Sequence, residues 1–444
     1  MVGFDRRALR RLGSGLMVAS LLWSLVALGQ SPQIPRGKHG DASMEYQLAE
    51  LQKLRLPADV TKPPRGFDPV VWAAFIPEDN KMTPARVALG RKLYFDTRLS
   101  RDGSLACATC HDVTRGFTDQ RAVSEGINGQ LGKRNAPTTL NAALLQTMFW
   151  DGRSPTLDHQ ARMPILNPVE MGMPDETAAL KAIRDDAAYQ EGFRKAYGRK
   201  VNYQDVGRAI AAFERTLIFV DSPLRRFLNG DGAAISAQAR AGWELFNGKA
   251  RCVACHPMNP SNPLGSDNRF HNVGVSARHQ NFEVLAQKAL RALGAGASEQ
   301  TLDALTVGSD LSELGRFMVT HDRSEIGSFR TPQILNVGIT GPYMHDGSMN
   351  TLWDVMDHYN KGGEANPFLD GGIEPLALSE DEIDQVVAFL FTLTDDRFAA
   401  ENQRQLKLQK AAAKKQRPFR DEDMAMRRTL PFEQRVTPAN HKDN

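Results

Sequence analysis

The chain has 444 residues, enough for roughly two or three domains of ordinary size. A net charge of +3 gives no basis for nucleic-acid binding, and a mean hydropathy of −0.40 excludes a membrane bundle and leaves a soluble globular class. At the N-terminus, Arg6, Arg7, Arg10 and Arg11 precede a mostly apolar, uncharged run from Leu12 to Leu28. Ala27-Leu28-Gly29 then offers small residues for cleavage before Gln30, so residues 1–29 are expected to be a secretory signal peptide. The run is short for an uncleaved span. The expected location is the periplasm, with no stable membrane insertion after cleavage.

Residues 30–65 read as a linker, with Pro32, Pro35, Pro57, Pro63 and Pro64 and one short helix near Glu45–Leu54. Thr83-Pro84 predicts a capped helix with proline in its first turn. That helix leads to Cys107-Ala108-Thr109-Cys110-His111. A second capped helix, starting at Ser236, leads to Cys252-Val253-Ala254-Cys255-His256. Each five-residue motif is C-x-x-C-H, the attachment signature of a c-type haem: two thiols add to the porphyrin vinyl groups and the next imidazole reaches the iron. The two motifs use all four cysteines of the chain. One zinc shared by both pairs, or a redox dithiol, are the alternatives, and neither explains the repeated histidine.

The two stretches around the motifs echo each other. Gly90-x-x-Leu93-Tyr94 and Gly242-x-x-Leu245-Phe246 precede them. Ala212-Phe213-x-x-Thr216-Leu217 and Ala388-Phe389-x-x-Thr392-Leu393 close them. Ser379 with Glu382 forms a capping box for the last closing helix. Strand signals are sparse. The expected fold is therefore mainly α, two tandem cytochrome c-like haem domains over 66–230 and 231–396, with a boundary at the turn-rich Asn229-Gly230-Asp231-Gly232. Gln280–Gly315 reads as a helical insertion with a break at Gly294–Ser298. Residues 397–444 read as a basic polar tail, a solvated helix followed by tail, with seven basic residues and no acid from Gln403 to Arg420.

What separates an electron carrier from a small-molecule site is the second axial position of the iron. After His111 no histidine occurs until His159 and no methionine until Met148, so no nearby loop ligand is available to the first haem. Polar candidates gather in 149–171: Glu170 as a general acid–base, Gln160 as a donor to bound peroxide, and Trp150 as an aromatic that can carry an electron hole.

Arg134-Asn135-Ala136-Pro137-Thr138, Phe149-Trp150-Asp151-Gly152-Arg153, Pro168-Val169-Glu170-Met171 and Thr340-Gly341-Pro342-Tyr343-Met344-His345-Asp346-Gly347 together resemble the bacterial di-haem cytochrome c peroxidase/MauG family over about residues 70–395. The resemblance implies a peroxide-reducing haem on His111 and an electron-relay haem on His256. It implies acid–base catalysis by Glu170, peroxide binding by Gln160, an electron path through Trp150, Pro164 over the open iron, and His345 near the second haem. It also implies a calcium ion held by Asn135, Thr340 and Pro342, which suits an oxygen-seeking cation. Two departures point to the MauG-like branch. The loop 112–134 carries no histidine, with Ile127 at the matching position, and Tyr359 stands where ordinary members ligate the relay iron with methionine. The implied partners are hydrogen peroxide and a redox partner protein, either a small cytochrome or cupredoxin donor or a protein whose side chain is oxidised. A non-enzymatic di-haem electron carrier is the alternative from a different class.

Overall fold

In this computed structural model residues 43–416 are described, apart from 66, 260–263, 279–280 and 295. The expected signal peptide, the start of the linker and the end of the tail lie outside the described residues. The short linker helix is present as Met44–Lys53. Helix Pro84–Tyr94 starts as its sequence predicts, with the Thr83 hydroxyl accepting from the Arg86 amide. It crosses helix Tyr203–Glu214 at Gly90, where a Cβ would lie 1.7 Å from the Ala209 carbonyl oxygen. One turn on, the Tyr94 ring meets Phe213 edge-on, centroids 5.1 Å apart.

The second unit repeats this contact. Helix Ala237–Asn247, capped by Ser236, crosses helix Glu380–Phe391 at Gly242. A Cβ there would lie 1.9 Å from the Gln385 carbonyl oxygen. Phe246 meets Phe389 at 4.9 Å. Each closing helix ends with its threonine hydroxyl donating back, Thr216 to the Phe213 carbonyl at 2.7 Å and Thr392 to the Phe389 carbonyl at 2.6 Å. The fold is thus mainly α, two cytochrome c-like units in tandem, and the sequence echoes are the crossing points of their helix pairs. Gly90→Ala or Gly242→Ala forces a methyl into backbone. Each should cost about 3 kcal/mol, at the upper end of overpacking penalties, read as a lowered denaturation midpoint.

The repeat runs deeper than the echoes. Pro137-x-x-Leu140-Asn141 matches Pro332-x-x-Leu335-Asn336, Asp151-Gly152 matches Asp346-Gly347, and Thr156-Leu157 matches Thr351-Leu352. Each later residue lies 195 positions after its mate (336 against 141, 346 against 151, 351 against 156). The geometry matches too. The Asn141 amide donates to the Leu217 carbonyl at 2.9 Å and that of Asn336 to the Leu393 carbonyl at 3.0 Å. Their side-chain oxygens accept from the Phe219 and Asp395 amides. The turns bridge Met148 to Ser154 and Tyr343 to Met349. The units are laced reciprocally: the Arg330 amide donates to the Trp150 carbonyl at 2.7 Å, and the Asn135 amide to the His345 carbonyl at 2.8 Å.

Two segments differ from their sequence reading. The stretch read as an insertion forms helices Phe282–Leu293 and Glu299–Gly308, broken at Gly294 as expected. It is not an appendage. It builds its own small core around Phe282, Leu285, Ala289, Leu314 and Phe317, and it lies on the first unit through Arg134, which bonds Ser312, and Lys133, whose amide donates to the Val307 carbonyl at 2.8 Å. The stretch read as a tail includes helix Ala399–Gln416, which is not solvated all round. Gln405 and Gln409 are buried, the first donating to Gln120 of the first unit and the second to Gly338 and Tyr343 of the second. Among the described residues no helix is long and apolar enough to cross a membrane.

Candidate active site

Both motif histidines are half-buried and oriented in the same way. His111 Nδ1 lies 3.3 Å from the Phe117 carbonyl and His256 Nδ1 2.7 Å from the Gly265 carbonyl. A proton on Nδ1 donates there and leaves Nε2 with its lone pair for iron. Burial lowers the pKa of both imidazoles, which favours the neutral, ligating form. The four cysteines form no disulfide. Burial pushes the Cys107 and Cys252 thiols up to about 12, the opposite of what a redox dithiol needs. These donors fit two covalent haems and not a redox dithiol.

The candidate distal residues of the first unit lie on one folded-back run. Thr156 caps helix Leu157–Gln160, and helix Met163–Leu166 follows. The chain then reverses so that the Met171 amide donates to the Pro164 carbonyl at 3.1 Å, bringing Pro164 beside Glu170. Gln160 is half-buried on the same run. Glu170 is near enough to the first motif for its charge to raise the Cys110 thiol, after burial and Asp119. Its Oε2 is buried without a hydrogen-bond partner. Burial raises the Glu170 carboxyl to about 8, Asp303 adds to the rise, and Arg153 opposes it. A buried carboxyl with one unengaged oxygen, titrating near neutrality, has the properties of a proton carrier.

The loop after the first motif supplies no ligand. Ile127 is buried, and its amide donates to the Glu170 carbonyl at 2.8 Å. His159 has both ring nitrogens engaged, with Ser154 at 2.8 Å and Glu299 at 2.6 Å. In the second unit, Tyr359 lies on helix Leu352–Asn360. Burial raises its phenol, and charge on the nearby Cys255 and Cys252 of the second motif adds to this. The neighbouring His358 turns its Nε2 to the Val273 carbonyl at 2.7 Å.

The 195-residue register extends the repeat beyond the echoes that flank the two motifs, and it bears directly on these residues. Tyr359 stands eight positions after Thr351, and Pro164 eight after Thr156, again 195 apart (359 against 164). The same register position in the two units is therefore held by a phenol that can bind iron and by a proline side chain that cannot. Trp150 and His345 are mates in the same way. Trp150 Nε1 donates to the Asn135 carbonyl at 2.9 Å, while His345 is buried, stacked on Phe329 at 3.7 Å and bonded to Glu313 at 3.1 Å. Burial opposes ionisation of Glu313, but the His345 contact holds its carboxyl at about 2. Asn135 is buried where the units meet, with its Nδ2 donating to the Arg121 carbonyl at 2.8 Å. Thr340 and Pro342 belong to the segment whose His345 carbonyl accepts the Asn135 amide.

The model of the family described as di-haem cytochrome c peroxidase matches residues 84–233. The methylamine utilization protein MauG of Methylorubrum extorquens is 37% identical over 321 residues, covering 71% of this chain and 80% of that protein. The chain belongs to the di-haem cytochrome c peroxidase/MauG family. Cytochrome-c peroxidase IdrP1 of Denitromonas iodatirespirans is 36% identical, covering 76% of this chain and 88% of that one. Among solved structures, a MauG-like protein associated with microbial copper homeostasis is similar at 30% identity and a TM-score of 0.60, over 77% of this chain and 95% of that one. A family member of this kind is a di-haem peroxidase-type oxidoreductase carrying two haem c groups, with hydrogen peroxide and a redox partner protein as its reactants.

Proposed function

We propose that this chain is an exported, periplasmic peroxidase of the MauG-like kind, in which peroxide reacts beside His111 and Pro164 and the electrons come from a side chain of a partner protein. The observation that carries this reading is the unequal pair of Pro164 and Tyr359 at one repeat position. When bound, the two haems supply the redox chemistry, two electrons in all, by which hydrogen peroxide and two protons become two waters. Glu170 takes a proton from one peroxide oxygen and returns it to the other, so that water can leave. Gln160 holds the peroxide by its amide. Trp150, laced to the second unit by Arg330, offers the aromatic link between the two centres. Tyr359 would hold the second iron as an anionic ligand, a ligation that disfavours reduction by an ordinary cytochrome. A calcium ion on the Asn135 side-chain oxygen and the Thr340 and Pro342 carbonyls would fix the unit interface around Trp150 and His345.

The similarity to a cytochrome-c peroxidase favours a second reading, in which a small cytochrome or cupredoxin is the donor. A non-enzymatic carrier fits less well, because it needs a sixth ligand where Pro164 stands. Stopped-flow mixing of the resting ferric protein with one equivalent of peroxide tests the proposal. A reaction without prior reduction, with slow steady-state turnover on reduced small cytochrome, is expected. A protein that reacts only after half-reduction, and then turns over rapidly on the cytochrome, contradicts it.

A further inference from the structure

Helix Glu299–Gly308 was expected to be additional material within the second unit, yet it ends against the peroxide site of the first. Asp303, 150 residues from Arg153, accepts from its Nε at 2.8 Å. Its other oxygen accepts from Asn167 Nδ2 at 2.6 Å. Arg153 also bonds Asp151 at 3.1 Å and lies over the Phe149 ring at 3.5 Å. Asp151, Arg153 and Asp303 are all buried. On the same helix, Glu299 holds His159. A cleft of about 280 Å³ opens along this seam, lined by Arg162, Asn167, Tyr203, Glu299 and Asp303 among others. Asp303 therefore lies between this cleft and the buried cluster whose charges act on Glu170.

The charges decide what this arrangement does. Arg153 and Arg134 face Asp151 and Asp303 in the cluster, where Arg330 also acts on Asp151, and Glu313 and Asp346 on Arg134. Ionising Glu170 adds an anion near Asp303 in a water-poor site, so burial and Asp303 resist it while Arg153 favours it. We propose that Asp303 is a positioning residue of the peroxide site: it anchors Arg153 and Asn167 against the Glu170 turn and sets the charge balance in which Glu170 takes up and returns its proton. This rests on Glu170 as the proton carrier proposed above. Asn167 is the hinge of that turn, because its carbonyl accepts the Glu170 amide at 3.1 Å and its side-chain oxygen the Val169 amide at 2.9 Å. The other charged groups along the seam are Arg162, Asp175, Glu176, Glu299 and His159. None of these contributes to the displacement of the Glu170 carboxyl, which follows burial, Asp303 and Arg153.

The test is the pH profile of the peroxide reaction in the holoprotein. With ionised Glu170 as the active form, the rate rises with pH through its pKa. Asp303→Asn removes the anion that holds this pKa up, so the limb should move about one pH unit to the acid side, roughly a tenfold faster reaction below the wild-type limb. Asp303→Glu keeps the charge and should leave the limb in place. A limb unmoved in Asp303→Asn, or a rate lowered equally at every pH, overturns the proposal. Infrared titration of the resting wild-type protein gives a readout independent of turnover and of how well the variants fold. The carboxyl band that Glu170→Gln removes should persist well above the ordinary carboxylate range. A band lost near the ordinary value sinks the proposal. If Glu170→Gln itself leaves the peroxide reaction unchanged, the fault lies with the proton-carrier reading, not with Asp303.

Discussion

Glu170→Gln should slow the reaction of the ferric protein with peroxide by about 10²- to 10⁴-fold, the range expected for losing a positioned acid–base group. The substitution keeps the shape and the hydrogen-bonding capacity, so the loss reads proton transfer and not packing. The sign of the pH effect follows from the site. Burial and Asp303 raise the Glu170 carboxyl to about 8 against the pull of Arg153. A cationic ferric haem beside it acts in the same direction as Arg153 and brings the group towards neutrality. The wild-type rate should therefore rise through the neutral range, while the glutamine variant, having no titrating group, should lose that limb. Stopped-flow rates from pH 5 to 9 in both proteins check this. A variant that keeps both its rate and its limb removes Glu170 from the chemistry.

Pro164→Met should close the first haem. Position 164 is the mate of 359, so a thioether there stands where the second unit places its phenol. The resting high-spin signal should convert largely to low-spin. Peroxide binding should fall by roughly 100-fold if displacing the new ligand costs about 3 kcal/mol. The companion change, Tyr359→Met, acts on the other centre. It replaces an anionic ligand that favours ferric iron by one that raises the potential, so the relay haem should become reducible by on the order of 0.1 V higher. Potentiometry with visible spectra reads both. Unchanged spectra in Pro164→Met, or an unchanged relay potential in Tyr359→Met, break the equivalence of the two positions.

The parts of this molecule that were legible in the sequence are those governed by local chemistry. Thr83, Ser236 and Ser379 cap the helices they were expected to cap, and Gly90 and Gly242 mark the crossings because only a glycine admits such close backbone approach. The two haem c groups were legible because two thiols and an imidazole must share one ring. The 195-residue register was present in the sequence but carried by few identities, Pro, Leu, Asn, Asp-Gly and Thr-Leu, while the residues between had diverged with the function of each site. Asp303 was out of reach, since its meaning depends on Arg153 and Asn167, 150 and 136 residues away. Helix Ala399–Gln416 was misread because its buried face is built from Gln405, Gln409 and alanines. These satisfy their polarity on backbone and side-chain partners of both units, so the apolar periodicity that signals docking is absent.

The central claim is the asymmetry of two centres built on one repeat, open at Pro164 and closed at Tyr359. Ferric electron paramagnetic resonance of the purified holoprotein, before and after one equivalent of peroxide, tests it most directly. One high-spin and one low-spin haem at rest, both signals lost together on peroxide addition without prior reduction, is the predicted result. Two low-spin haems at rest, responding to peroxide only after one of them has been reduced, would contradict it.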